Sequence, residues 1–144
     1  MPDAAPLPLE PRAVVLDARA AGRDDAIRQC GELLLAVGAI TEPYIASMLE
    51  RERSISTYVG EGVAIPHGTA KAKQDVLRDA VCVVRFPEGV DWDGERVGLC
   101  VGIAAKGNGH VALLAALADV LLDPDRARNL REATEVETVM KELL

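Results

Sequence analysis

Aromatic residues are scarce in this sequence. One Trp, two Tyr and one Phe make up 3% of the 144 residues, whereas hydrophobic residues as a whole make up 49%. Large aromatic rings therefore contribute little to the core, which must be filled mainly by Ala, Val, Leu and Ile. Such side chains suit helices packed on a sheet, and the chain is long enough for one domain with a buried core.

Cysteine is also sparse. The three cysteines, Cys30, Cys82 and Cys100, are widely spaced and form no C-x-x-C pair. This spacing supports neither a zinc ribbon nor a thioredoxin-type redox site. Cys82 and Cys100 lie in Val-rich runs and Cys30 lies on an apolar helix face, so we expect three buried thiols, compatible with a reducing cytosol.

Long apolar runs and an excess of positive charge are missing as well. The apolar stretches Val111–Ala118 and 97–105 are far shorter than the roughly 20 residues that span a bilayer. Residues 1–11 lack the basic and apolar regions of a secretory signal. The net charge of −7 disfavours nucleic-acid partners, because their phosphates would be repelled. We therefore expect a cytoplasmic protein that does not insert into the membrane or bind nucleic acid.

The pattern along the chain predicts one folded domain over residues 13–144. Residues 1–12 contain four of the eight prolines, and we expect them to form a flexible leader. Apolar residues at helical spacing indicate a helix over Arg23–Val37. Thr41 is expected to cap a second helix, whose first turn tolerates Pro43.

Strand-like runs alternate with these helices. Short runs at Ala13–Leu16 and Val63-Ala64-Ile65 and longer ones at Ala80–Phe86 and Val97–Ala105 predict strands, with a turn at Pro87-Glu88-Gly89. The two longer runs are continuously apolar, which is typical of strands covered on both faces. The sequence therefore predicts an α/β domain with a mixed sheet. Further helices are predicted at about His110–Leu122, from Pro124 and at the C-terminus.

Histidine occurs only twice, at His67 and His110. His67 lies between Pro66 and Gly68 at the end of a strand-like run, and His110 follows a glycine-rich loop after a later strand. Strand ends are where α/β sheets usually present side chains to ligands. Both imidazoles are therefore expected at one edge of the sheet, and a neutral imidazole is a good nucleophile near pH 7.

Attack of such a nitrogen on a phosphoryl donor would give a phosphohistidine, for which the protein supplies geometry and positive charge. The helix start at His110 offers N–H groups to phosphate oxygens, and Arg51 offers a guanidinium fork. Lys71 and Lys73 follow His67 and could attract phosphate, although a solvent-exposed helix face is the favoured interpretation for both.

Other interpretations of these residues stay open at this point. A histidine between proline and glycine is often only a turn residue, and histidines at helix starts are commonplace. A metal site is weakly supported, because no H-x-H or H-x-x-x-H spacing occurs and zinc usually needs three or four ligands. The Gly107-Asn108-Gly109 loop lacks P-loop spacing. We therefore expect neither a metal nor a nucleotide cofactor.

The segment from Glu52 to Gly68 carries a longer pattern, E-R-S-I-S-T-Y-V-G-E-G-V-A-I-P-H-G. It resembles the active-site motif of the mannitol/fructose-type enzyme IIA domains of the bacterial phosphoenolpyruvate-dependent sugar phosphotransferase system. The resemblance covers about residues 13–144 and is strongest to the mannitol branch. Its other parts are Leu49-Glu50-Arg51-Glu52, Pro66-His67-Gly68-Thr69, Pro87-Glu88-Gly89-Val90 and Gly102-Ile103-Ala104-Ala105.

This resemblance implies a phosphoryl carrier with a mixed, five-stranded sheet flanked by helices on both faces. It implies that His67 is the phosphorylated nucleophile, that His110 orients or hydrogen-bonds the phosphoryl group, and that Arg51 gives electrostatic support. The implied donor is the histidine-containing phosphocarrier protein HPr. The implied acceptor is a cognate enzyme IIB, and the resemblance allows the membrane enzyme IIC as a further partner.

Two functions fit the resemblance. A sugar-specific enzyme IIA would pass the phosphoryl group on for sugar uptake, and the similarities at 49–52 and 102–105 favour mannitol. A regulatory protein of the nitrogen-type phosphotransferase branch would use the same phosphohistidine as a signal and would transport nothing. A non-catalytic interaction domain that is not phosphorylated is the third alternative.

Overall fold

The computed structural model describes residues 7–106 and 109–143, without the side chains at positions 109 and 110. In this part of the chain a mixed sheet packs against helices. The strands are β1 (Leu9–Val15), β2 (Tyr58–Gly60), β3 (Val63–Ala64), β4 (Ala80–Trp92) and β5 (Glu95–Ala104). The helices are α1 (Arg23–Ala36), α2 (Pro43–Ser54), α3 (Gly109–Leu121), α4 (Pro124–Arg131) and α5 (Val136–Leu143), with a 3₁₀ helix at Ala70–Asp75.

The strand order of the sheet is β1-β4-β5-β3-β2, which gives five strands within the described residues. β1 runs parallel to β4 and β3 runs parallel to β5, whereas the β4–β5 and β2–β3 pairs are antiparallel. The predicted mixed sheet of five strands is therefore confirmed. Val63 and Ala64 of β3 pair with Leu99 and Cys100 of β5, so the chain after β3 continues toward the end of β5.

Helices lie on both faces of the sheet, as predicted. Cys82 and Arg85 are three residues apart in β4, and residues at odd separations along a strand point to opposite faces of the sheet. On one face, the Sγ atom of Cys82 in β4 donates to the carbonyl oxygen of Cys30 in α1 at 3.5 Å. On the other, Nε of Arg85 donates to the carbonyl oxygen of Arg131, at the end of α4, at 2.7 Å. No helix in the described ranges is long and apolar enough to cross a bilayer.

The core is largely aliphatic, as the composition predicts, and its largest buried side chains are Trp92 and Phe86. All three cysteines are fully buried free thiols, which confirms that they pack as small hydrophobic residues. Hydrogen bonding to Cys30, together with burial, raises the pKa of Cys82 well above its usual range. The thiol therefore stays protonated and chemically inert.

The connection between β4 and β5 differs from the prediction. The expected turn at Pro87-Glu88-Gly89 lies inside β4, where the pairing with β5 shifts register between Arg85 and Val90. The chain reverses instead at Asp93-Gly94, whose φ angles are 53° and 96°. Positive φ at two successive residues is typical of the two-residue hairpin turn, for which Asp-Gly is a favoured pair. Both strands are therefore longer than predicted.

Two other boundaries also differ from the prediction. β1 begins at Leu9, earlier than the predicted Ala13, and Leu9 pairs with Val81, so the last part of the expected leader (1–12) belongs to the sheet. Residues 1–6 lie outside the described residues. Thr41 does not cap α2, whose N-cap is Glu42. The Thr41 hydroxyl donates to Oδ1 of Asp75 at 3.0 Å instead and ties the α1–α2 loop to the 3₁₀ helix.

Candidate functional site

His67 lies where β3 ends beside β5. The carbonyl oxygen of Pro66 accepts a hydrogen bond from the N–H of Ile103 at 2.9 Å, and His67 forms an isolated parallel bridge with Ile103. Because proline has no N–H group, Pro66 cannot donate to a strand partner and the regular pairing stops there. His67 therefore follows a strand end, where its side chain is half-buried.

Tyr44 of α2 holds the segment that carries His67. Its hydroxyl donates to the carbonyl oxygen of Ile103 at 2.8 Å and accepts from the N–H of Gly68 at 2.9 Å. A Cβ atom at position 68 would lie 2.4 Å from Cε1 of Tyr44 and 2.5 Å from Oγ of Ser47. Both distances are far inside van der Waals contact. Only glycine therefore lets the main chain after His67 approach Tyr44 this closely.

The His67 ring is held in one tautomer. Its Nδ1 atom lies 2.8 Å from the carbonyl oxygen of Ile65. A carbonyl oxygen can only accept a hydrogen bond, so Nδ1 carries the proton of the neutral ring. Nε2 then carries the lone pair, which makes it the nucleophilic nitrogen. The orientation of the ring is thus set by the main chain two residues earlier.

A cavity of about 280 Å³ opens beside His67. Arg51 reaches it from α2 and Lys73 reaches it from the 3₁₀ helix, whereas no carboxylate lines it within the described part of the chain. Positive charge beside an imidazole suits a bound anion. The lining residues are Tyr44, Arg51, His67, Gly68, Thr69, Ala70, Lys73, Ala105 and Leu114.

Arg51 is positioned by the end of its own helix. Its Nη1 atom donates to the carbonyl oxygen of Ile55 at 2.6 Å, just beyond the last turn of α2. A guanidinium has five N–H donors in a rigid fork, so this bond orients the group and still leaves donors for a ligand. The structure thus brings the side chains of Arg51 and His67 to the same cavity.

Next to Arg51 in the chain, Glu52 joins α2 to the sheet. Glu52 is only 3% exposed. Its carboxylate accepts hydrogen bonds from the N–H of Thr57 at 3.0 Å, from the Thr57 hydroxyl and from Nε1 of Trp92 at 3.0 Å. These bonds stabilise a carboxylate that burial would otherwise penalise. The carbonyl oxygen of Thr57 accepts from the N–H of Ile65 at 3.0 Å. The network therefore links α2 to the residue whose carbonyl orients the imidazole.

His110 lies in the first turn of α3, and its side chain is outside the described residues. The expected convergence of the two imidazoles therefore stays a prediction. Leu114 of the same helix lines the cavity, so α3 borders the site.

Two features of the site were not predicted from the sequence. Tyr44 lies far from His67 along the chain, and no local pattern connects the two. Lys71 and Lys73 were expected to share one exposed helix face, but Lys71 is exposed whereas Lys73 is half-buried and lines the cavity. Residues two apart lie on different sides of an α-helix and of a 3₁₀ helix alike, so a single exposed face could not have held both lysines.

Residues 8–144 match the family described as the phosphoenolpyruvate-dependent sugar phosphotransferase system, EIIA 2. The mannitol-specific phosphotransferase enzyme IIA component of Staphylococcus aureus is 39% identical over 132 residues, which are 90% of this chain and 92% of that protein. The mannitol-specific EIICBA component of Pasteurella multocida is 40% identical over 136 residues. That alignment covers 92% of this chain but only 22% of the longer protein.

A solved structure has the same fold. It is the complex of enzyme IIAMTL and phosphorylated enzyme IIBMTL from Escherichia coli, and the matched chain gives a TM-score of 0.86 at 35% sequence identity. The match covers 92% of this chain and 94% of that chain. The similarity in fold therefore extends over most of the chain.

Proposed function

Since this chain belongs to the type 2 EIIA family of the phosphoenolpyruvate-dependent sugar phosphotransferase system and is thus one of its phosphoryl carriers, we propose that His67 is the residue that carries the phosphoryl group. HPr is the donor, and a cognate enzyme IIB is the acceptor. One observation gives the strongest support to His67 as the phosphorylated residue. The His67 ring borders a cavity with Arg51, while a main-chain carbonyl 2.8 Å from Nδ1 directs the lone pair to Nε2.

The transfer is a displacement at phosphorus between two imidazoles. The lone pair of His67 Nε2 forms a new P–N bond while the P–N bond to the histidine of HPr breaks, and its electron pair returns to the donor ring. Positive charge develops on the His67 ring as Nε2 attacks. The hydrogen bond from Nδ1 to Ile65 stabilises that charge, because the acceptor is a fixed carbonyl dipole.

Arg51 supports the transfer electrostatically in this proposal. A guanidinium matches two phosphoryl oxygens at once, and the bond to Ile55 holds it at the cavity in advance. His110 orients or hydrogen-bonds the phosphoryl group, a role that follows from the resemblance. The position of α3 beside the cavity is compatible with that role.

The proposed acceptor is enzyme IIB, because the similar Escherichia coli protein has been solved in complex with phosphorylated enzyme IIB. Mannitol is the proposed sugar, because the relatives described as mannitol-specific are 39% and 40% identical. The resemblance implies that the sugar itself contacts the membrane enzyme IIC and not this chain. We place the chain in the cytoplasm, where its proposed partners act.

Phosphorylation with purified enzyme I, HPr and phosphoenolpyruvate tests the carrier role. The wild-type chain is expected to gain one acid-labile phosphoryl group. His67→Ala is expected to gain none, because it lacks the nucleophilic nitrogen, whereas His110→Ala keeps that nitrogen and should be labelled more slowly. The assignment would be refuted if His67→Ala took up the label or if the wild type took up none. The second result would favour an interaction domain without phosphorylation.

The competing function is a regulatory protein of the nitrogen-type branch. Transfer from the labelled chain to mannitol enzyme IIB separates the two functions, with a nitrogen-branch phosphoprotein serving as the control donor. We expect rapid transfer from this chain and slow transfer from the control. Equal, slow transfer from both would favour the regulatory function.

A further inference from the structure

Lys73 occupies a different environment from the neighbouring lysine. Both Lys71 and Lys73 lie on the 3₁₀ helix Ala70–Asp75, directly after the segment that carries His67. Lys71 is exposed and does not line the cavity, whereas Lys73 is half-buried and does. The 3₁₀ helix therefore presents one of its two lysines to the space beside His67.

The backbone around Lys73 is anchored on the rest of the fold. The N–H of Thr41 donates to the carbonyl oxygen of Asp75 at 2.8 Å, and the Thr41 hydroxyl donates to the Asp75 carboxylate at 3.0 Å. Ala72, between the two lysines, is only 6% exposed. Lys73 thus extends from a fixed segment, and the acidic side chain nearest to it in sequence is hydrogen-bonded to Thr41.

The charge around the cavity is unbalanced. Neither Lys73 nor Arg51 has a carboxylate within 4.0 Å among the residues that the structure describes. A half-buried ammonium without a counter-ion has lost part of its hydration, so an anion in the cavity would interact with it more strongly than in bulk water. A phosphoryl group on nitrogen is such an anion, and it has three oxygens to share between two cations.

We propose that Lys73 binds an oxygen of the phosphoryl group on His67 and stabilises the phosphorylated state of the chain. This inference rests on the proposed function of His67. Lys73 acts through its charge and a hydrogen bond alone, so the bonds that form and break are those of the transfer itself. Arg51 from α2 and Lys73 from the 3₁₀ helix then hold the phosphoryl group from two separate elements of the fold.

The equilibrium of phosphoryl transfer between HPr and this chain tests the proposal. Labelled phospho-HPr is mixed with the chain without enzyme I, and the label on each protein is measured once it stops changing. Lys73→Met is expected to shift the equilibrium constant about tenfold toward phospho-HPr, because it removes one charge-assisted hydrogen bond to the phosphoryl group. Lys73→Arg keeps the charge and should stay within about threefold of the wild type.

Lys71→Met is the matched control, since it removes the same charge from the same helix outside the cavity. It should leave the equilibrium constant unchanged. Thermal unfolding of each variant separates a folding defect from the effect on phosphoryl binding. Lys73→Gln serves as a second neutral variant.

Three outcomes would overturn the inference. The first is an equilibrium constant that is the same in folded Lys73→Met and wild type. The second is a slower approach to an unchanged equilibrium, which would assign Lys73 to partner docking, because docking changes both directions equally. The third is an equal shift in Lys71→Met. Failure of the proposed function is distinguishable from all three, because the wild-type chain would then take no label at His67.

Discussion

Replacing Tyr44 by Phe removes one hydroxyl and keeps the ring that packs beside the site. That hydroxyl lies between the N–H of Gly68 and the carbonyl oxygen of Ile103, at 2.9 and 2.8 Å. In Tyr44→Phe both groups lose the hydroxyl as a partner, and the bridge between His67 and Ile103 leaves them facing each other. They can satisfy each other only by closing the gap, which would displace Gly68 and with it His67.

The expected loss of stability follows from these two groups. An unsatisfied buried donor or acceptor costs about 1 to 3 kcal/mol. Ile103 is fully buried, whereas Gly68 is half-buried and water can partly replace the lost contact. We therefore expect the free energy of unfolding to fall by about 2 to 3 kcal/mol, which lowers the melting temperature by about 6 to 10 °C. The rate of phosphoryl transfer should fall at least about tenfold, because displacements near 1 Å reduce such rates strongly.

Urea unfolding and the initial rate of labelling by phospho-HPr measure the two effects. Tyr58→Phe is the matched control. Within the described residues, the Tyr58 hydroxyl accepts one longer bond, 3.3 Å from the N–H of Gly62, so its loss should cost less than about 1 kcal/mol. Equal destabilisation by the two substitutions would refute the reasoning. So would a stable Tyr44→Phe variant that transfers at the wild-type rate.

Two further predictions concern pH and Arg51. Burial raises the pKa of Tyr44 above its ordinary value of about 10. Its contribution to stability is therefore fully present below about pH 10 and is lost as the pH rises through the folded-state pKa. In urea unfolding, the difference in unfolding free energy between wild type and Tyr44→Phe should stay the same from pH 8 to about pH 10 and narrow above it, and a difference that is still unchanged at pH 11 would contradict this. Arg51→Lys should slow labelling about tenfold, because an ammonium cannot bind the Ile55 carbonyl and two phosphoryl oxygens together. The control is Arg53→Lys, at an exposed position of the same helix, which should be labelled at the normal rate. Equal labelling rates for the two variants would remove Arg51 from the site.

The parts of the fold that were predicted correctly are those with a strong local signal. The spacing of apolar residues predicted α1 to within one residue of its end, where Gly38 adopts a φ of 78°. Continuous Val-rich runs predicted the central strands β4 and β5. Periodicity and turn-forming residues act over a few neighbours, so they can be recognised without knowing the rest of the fold.

The errors arose where two local signals competed or a distant contact prevailed. Pro87-Glu88-Gly89 has the composition of a turn but forms an irregularity within β4, because the pairing with β5 resumes at Val90 and continues to Asp93-Gly94. Thr41 has the side chain of a cap, but the 3₁₀ helix brings Asp75 within 3.0 Å of its hydroxyl. Neither competition can be judged from neighbouring residues alone.

The sequence by itself determined the α/β class, the strand end at Pro66, and His67 as the candidate nucleophile, since these depend on residue type and short-range spacing. Only the tertiary structure showed that Ile65 selects the Nδ1 tautomer, that Tyr44 holds the chain at Gly68, and that Lys73 and not Lys71 reaches the cavity. The tautomer depends on hydrogen-bond geometry. The other two contacts join separate elements, and their distances are set when α2, the 3₁₀ helix and the sheet pack together.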